Sequence, residues 1–195
     1  MKLLLYFLII LTFSSCSSNS LSNYKPSEKE QLANEITNRV SLQLKNSFDL
    51  KPFGSGGQAM NDIEMLALSF IYNKEIDIED ARELLINSVD IFVKAINEDE
   101  RIHPYLSNYP FEPKNIEISI YLRKLDNSDI TPGKLLIASS NNGILEYDIR
   151  DPKTDRLKSI YRESYEEALI RKPISWNSST QKIIKKNINP AILDE

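Results

Sequence analysis

The hydrophobic period of this chain changes once, and the change falls across a proline-rich stretch, HPYLSNYPFEP, at residues 103–113. On its C-terminal side Ile116, Ile118, Ile120 and Leu122 alternate with Glu117, Ser119, Tyr121 and Arg123. A period of two places one set of side chains on each face of a half-buried strand. On its N-terminal side Ala81, Leu84, Leu85, Ser88, Phe92, Ala95 and Ile96 recur at the spacing of one helical face. A chain that switches from one period to the other packs helices against a sheet. The expected class is α+β, with N-terminal helices packed against a small antiparallel β-meander and a late C-terminal helix.

The helices have readable boundaries. Ser27 followed by Glu30 forms a capping box, and Leu32, Ile36, Val40 and Leu44 mark an amphipathic helix over 28–46. The apolar run Met60, Ile63, Met65, Leu66, Ala67, Phe70 and Ile71 predicts a second, well-buried helix over 59–72. Asp77 predicts the N-cap of a third, with Asp80 at its third position and Ile76 as the outer half of a hydrophobic staple against Ala81. Pro104 ends that helix before His103. The connector carries Tyr105, Leu106, Tyr109 and Phe111, so it is expected to lie on the domain.

Beyond residue 116 the turn chemistry sets the strand ends. Pro132-Gly133 suits a type II corner and Asn142-Gly143 a type I′ hairpin, giving strands over 134–140, 144–149 and 156–162. ESYEEALIRK returns to a helix with Tyr165, Ala168 and Leu169 inward. From Pro173 on, Trp176 is a candidate anchor, and QKIIKKNI reads as a last strand or an exposed arm. Short connections favour pairing in sequence order, with helices on one face and the other left for solvent or a partner.

Residue counts exclude several chemistries. With one cysteine, Cys16, the chain can form no internal disulfide and no cysteine metal cluster; with one histidine, His103, it can form no multi-histidine site. The formal charge is −4 and basic residues are dispersed, which removes the electrostatic footprint of nucleic-acid binding. No cofactor is expected.

The start of the chain has its own signal. Lys2 precedes an apolar run from Leu3 to Leu11, which Thr12-Phe13 extend to eleven residues, and small polar residues follow. Eleven helical residues cover about 16 Å, half of a hydrocarbon core of about 30 Å, so the pattern is that of an export signal. Phe13-Ser14-Ser15-Cys16 resembles the lipobox of bacterial lipoproteins. That resemblance implies cleavage before Cys16, acylation of Cys16, and anchoring on the extracytoplasmic side of the envelope, at the outer membrane if the host has two. It divides the chain into a signal peptide (1–15), a lipidated cysteine with a polar tether (16–26) and a single domain (27–195).

Each candidate site also has a plainer structural explanation. Gly54, Ser55, Gly56 and Gly57 form a glycine segment that can present backbone N–H groups to a phosphate, but the P-loop lysine is missing. Ser55 as a hydrolase nucleophile lacks the GxSxG frame. His103 fits a helix C-terminal cap. Glu98, Asp99 and Glu100 crowd a helix end, Asp148, Asp151 and Asp155 flank a hairpin turn, and Glu163, Glu166 and Glu167 sit near a helix start. Seven of the aromatic residues, among them Tyr121, Tyr147, Tyr161 and Tyr165, gather in the second half as core or interface. The resulting expectation is a non-catalytic, lipid-anchored domain that meets a protein partner. The alternatives are a small-molecule or phosphate-binding module and, further off, a serine hydrolase.

Overall fold

A computed structural model describes residues 25–171. The elements run α1 (Glu28–Phe48), β1 (Lys51–Gln58), β2 (Met65–Tyr72), α2 (Ile78–Asn97), β3 (Ile116–Leu122), β4 (Leu135–Asn141), β5 (Ile144–Arg150), β6 (Leu157–Ser164) and α3 (Tyr165–Arg171). Single 3₁₀ turns at His103–Tyr105 and Pro113–Asn115 lie between α2 and β3. The six strands form one sheet in sequence order. Neighbours are antiparallel except β2 and β3, which run parallel because α2 carries the chain back between them. The class is α+β, as the change of period requires.

The helix ends follow the local chemistry. The Ser27 hydroxyl accepts from the Glu30 N–H and the Glu30 carboxylate accepts from the Ser27 N–H, which closes the capping box. Asp49 ends α1 in the left-handed region and donates its N–H to the Lys45 carbonyl. Asp77 caps α2 by accepting from the Asp80 N–H at 2.9 Å. A second pair of reciprocal bonds, between Ser164 and Glu167, starts α3. Both predicted turns form. Gly133 takes φ +88° with Lys134 N–H bonded to the Thr131 carbonyl, and Asn142 and Gly143 both take positive φ in the β4–β5 hairpin.

One expectation fails. The predicted helix over 59–72 is absent, and Met65–Tyr72 is strand β2. Its inward residues are Leu66, Leu68, Phe70 and Tyr72, and Met65, Ala67, Ser69 and Ile71 take the other face. Because both faces are largely apolar, the run has no visible alternation, and such a run reads equally as a buried helix. The stretch before it changes too: Lys51–Gln58 is the edge strand β1. In α3 only Tyr165 and Ala168 are buried, and Leu169 is exposed.

Three helices cover one face of the sheet. Leu66, Leu68 and Phe70 of β2 meet Ile116, Ile118 and Ile120 of β3 on that face, with Ala138, Leu145 and Tyr147 continuing the layer. Ile36, Val40 and Leu44 of α1 and Leu85, Val89, Phe92 and Ile96 of α2 close it from above. The proline-rich connector is tied to the same body. The Asn97 side chain bonds both the N–H and the carbonyl of Phe111, which is itself buried. Ile63 bridges to the connector through Tyr105 and Ser107, and Lys29 of α1 donates to the carbonyls of Ala59 and Asn61 at 2.7 Å each.

Candidate functional site

The opposite face of the sheet carries no helix among the described residues. Strand register places its side chains in rows. One row is Lys51, Ile71, Tyr121, Ile137 and Asp148; the next is Gly54, Ser69, Ser119, Ser139 and Glu146, ending at Arg162. The β1 bulge between Pro52 and Gly54 turns Phe53 onto this face, where its ring meets Tyr121 edge-on with centroids 6.0 Å apart. Phe53 is nevertheless 67% exposed. The result is an apolar ledge of Phe53, Ile71, Tyr121 and Ile137 beside a flat strip of serines. Uncovered apolar area rimmed by polar groups is the usual form of a contact surface.

This face carries charges of both signs, Lys51 and Arg162 with Glu117, Glu146 and Asp148. Glu146 is held by Arg162 at 3.0 Å. Asp148, its neighbour on β5, has no hydrogen bond or ion pair among the described residues; burial, helped by the charge of Glu146, raises its pKa. Glu117 of β3 adds a third carboxylate on the same side.

The glycine segment does not build the geometry that a phosphate cradle needs. Gly54, Ser55, Gly56 and Gly57 lie within edge strand β1, so their backbone runs extended beside β2 and no helix begins after them. Ser55 and His103 are not partners. The His103 Nε2 lies 3.0 Å from the Asn97 carbonyl, and its ring lies tilted against Tyr109 with centroids 4.2 Å apart. His103 therefore closes the end of α2, the role its position suggested.

Asp148 aside, the acidic clusters have structural partners. Asp99 chelates Arg101, whose guanidinium also reaches Glu35 on α1 at 2.7 Å. The Arg101 hydrogen bonds outweigh burial and hold the Asp99 carboxyl down at about 2. Asp151 accepts from the Lys153 and Thr154 N–H groups and shapes its turn. Glu163 is not at a helix start in the sense expected. It is buried beneath α2, accepting from Arg82 at 2.6 Å and from the Tyr147 hydroxyl at 2.9 Å. Burial and the Glu163 carboxylate push the Tyr147 hydroxyl well above its ordinary pKa. Burial works against the Arg82 charge, but the hydrogen bond and charge of Glu163 prevail and its pKa rises. Tyr161 stacks on Tyr147, with the guanidinium groups of Arg82 and Arg171 over its ring at 6.0 and 5.8 Å. This cluster joins α2 to the sheet.

Among the described residues no group of three or more His, Asp or Glu is placed to hold a metal ion, and no helix is long and apolar enough to cross a membrane. Cys16 lies outside the described residues. The apolar ledge escaped sequence reasoning because the helix expected over 59–72 concealed both β2 and the edge strand that carries Phe53. The one available signal was the alternation in β3, which already put Tyr121 opposite the core. No family model, curated protein or solved structure matches this chain.

Proposed function

We propose that this chain is a non-catalytic envelope lipoprotein, tethered through Cys16, whose domain acts by protein contact at the uncovered face of its sheet. The observation that carries the reading is Phe53, 67% exposed against Tyr121 on a face that the helices leave bare. Exposing a phenylalanine to water forgoes about 1.5–3 kcal/mol of burial. A second protein that covers the ledge recovers that energy, and the carboxylates and serines around it supply a polar rim. The export-signal pattern and the lipobox-like Phe13-Ser14-Ser15-Cys16 support the anchoring half of the reading. Two or more acyl chains hold a protein on a bilayer, whereas one holds it marginally.

Two measurements test it. Mass spectrometry of the full chain expressed in its native host is expected to find acyl mass on Cys16; a chain with an unmodified Cys16 removes the anchor. For the contact surface, a photo-cross-linking residue is placed at Phe53 and, as control, at Leu42 on α1, which is 57% exposed. A discrete adduct from position 53 alone is expected. Equal yields from both positions, or none from either, would defeat the proposal.

A further inference from the structure

The open face is complementary to itself. From β1 to β5 its central row reads Lys51, Ile71, Tyr121, Ile137 and Asp148. A cation stands at one end, a carboxylate at the other, and apolar side chains lie between. Lay a second sheet face to face on the first, about a two-fold axis along β3. Lys51 of each copy then meets Asp148 of the other, Ile71 meets Ile137, and Tyr121 meets Tyr121. Sheets that pack face to face keep their strands nearly aligned, as this axis does. An axis across the strands at the same row would instead set Lys51 against Lys51 and Asp148 against Asp148.

The neighbouring rows match under the same operation. Gly54 comes opposite Glu146, and Gly56 opposite Ile144, which is 41% exposed. A Cβ on Gly56 would meet nothing within 4 Å, and one on Gly54 only the Ser69 Cβ at 4.0 Å. Neither glycine takes a positive φ. The described fold thus requires glycine at neither position, whereas long side chains arriving from a second sheet need the room. A glycine inside a strand commonly marks such a close approach.

The other charges of the face are met within the chain or lie at the rim. Arg162 is held by Glu146, and Arg123 and Arg150 share Asp129. Lys51 donates to the Asn73 side chain at 2.7 Å and keeps two further N–H groups for a carboxylate. Asp148 is half-buried without a hydrogen bond or ion pair among the described residues, so Lys51 of a second copy supplies the counter-charge its own chain does not. Glu117 faces itself across the axis, two rows from Tyr121, at a rim where salt and water screen the pair.

Area and direction agree. Five strands about 4.8 Å apart, seven residues long at about 3.3 Å each, give about 550 Å² per copy and about 1,100 Å² in all. That clears the roughly 1,000 Å² a specific interface needs. Lys29 ties the start of α1 to the carbonyls of Ala59 and Asn61, in the β1–β2 turn. A two-fold axis along the strands keeps that end of both copies together, as two anchors on one membrane require.

We infer that two copies of this chain pair face to face through the open sheet, about a two-fold axis along β3, with Lys51 of each against Asp148 of the other. The inference rests on reading that face as the contact surface, and names its partner as a second copy of the chain. The interface is isologous, so each contact occurs twice.

The test uses the full chain in its native host. Glu117→Cys puts a thiol at the rim on the axis, and a short bismaleimide is expected to join two copies through it. Leu42→Cys on α1 and the parent chain, whose single thiol is Cys16, are the controls and are expected to stay single. Mass spectrometry of the linked peptide is expected to find position 117 of both copies. In the Glu117→Cys chain, Lys51→Glu alone or Asp148→Lys alone turns two attractions into two repulsions, and the yield should fall about tenfold. Both together should restore it, because each reversed charge again meets its opposite in the other copy. Within one chain the two positions lie four strands apart, about 19 Å, too far to pair. No linked pair, equal yield from position 42, position 117 joined to a different protein, or a double reversal no better than the singles would overturn the inference. So would a position-53 photo-adduct that stays within one chain. Failure of this inference and failure of the proposed function are separable. A position-53 adduct to a different protein, with no pair through position 117, leaves the contact surface standing and removes the second copy. A pair through position 117 that the double reversal restores, in a chain with an unmodified Cys16, keeps the second copy and removes the anchor.

Discussion

The two faces of the sheet are built from the same strands to opposite ends. On the helix side the residues of β3 are Ile116, Ile118, Ile120 and Leu122, each at 0% exposure. One residue along, on the other side, they are Glu117, Ser119 and Tyr121, each only half-buried. Burial on the first side is complete enough that even its charged residues are enclosed, Arg82 and Glu163 among them. The second side keeps a phenylalanine in water. Stability resides on one face, and the described helices leave the other uncovered.

The largest effect should come from the enclosed ion pair. Glu163→Gln leaves the buried Arg82 guanidinium with only the exposed Glu79 carboxylate, 4.0 Å away, as counter-charge, and breaking such a buried pair costs about 3–5 kcal/mol. The loss should appear as a lower urea midpoint with an unchanged slope. Combining it with Arg82→Met is expected to recover a large part of the loss, because the cost is that of a stranded charge. If the double variant is as unstable as the sum of the singles, the two groups act independently and the enclosed pair is not what joins α2 to the sheet.

Next in size is the contrast between faces within one strand pair. Ile118→Ala opens a cavity under α2 and should cost about 2–5 kcal/mol. Ile137→Ala, on the open face, should cost less than about 1.5 kcal/mol in the same denaturation experiment, because water already reaches it. Equal losses would mean that something in the full chain covers the open face as completely as the helices cover the other.

How much of this was legible depended on how cleanly each segment declared its period. The capping box at Ser27, the Asp77 cap, the alternation in β3 and the Asn142-Gly143 hairpin were all readable, because each is a local pattern with one physical solution. Residues 65–72 were not. Strand β2 lies between β1 and β3 and carries Ala67 and Ile71 on its open side, so the polar half of the alternation is missing. Losing β2 also hid β1, whose KPFGSGGQ sequence has few strand-forming residues and pairs only because β2 offers it an edge. The Arg82–Glu163 pair is 81 residues apart in sequence, and no local pattern announces a contact of that range.

The glycines of β1 sharpen the contrast at the edge. Gly57 pairs with Leu66 on the helix side, and a Cβ there would lie 2.7 Å from the Met65 carbonyl oxygen. Gly57→Ala must shift backbone and is expected to cost about 1–3 kcal/mol. Gly56→Ala meets open space and should gain about 0.4–1 kcal/mol by restricting the unfolded chain. Thermal melts of the two variants should therefore move in opposite directions. A fall for Gly56→Ala would show that a backbone, from this chain or another, occupies the space beside it.

The smallest expected effect lies inside the covered face and tests how tightly it is closed. Ser140 is fully buried on β4, and its hydroxyl is the one buried side-chain polar atom without a hydrogen-bond partner among the described residues. A hydroxyl enclosed without a partner has lost its water and gained nothing in return. Ser140→Ala removes that oxygen while keeping the Cβ, and the void left is smaller than a methyl group. The two consequences oppose each other, and desolvation is the larger. The variant should be as stable as the parent or up to about 1 kcal/mol more stable. A loss of 1 kcal/mol or more would show that the hydroxyl has found a partner, most simply a buried water. The helix-covered face would then be less dry than its apolar side chains suggest.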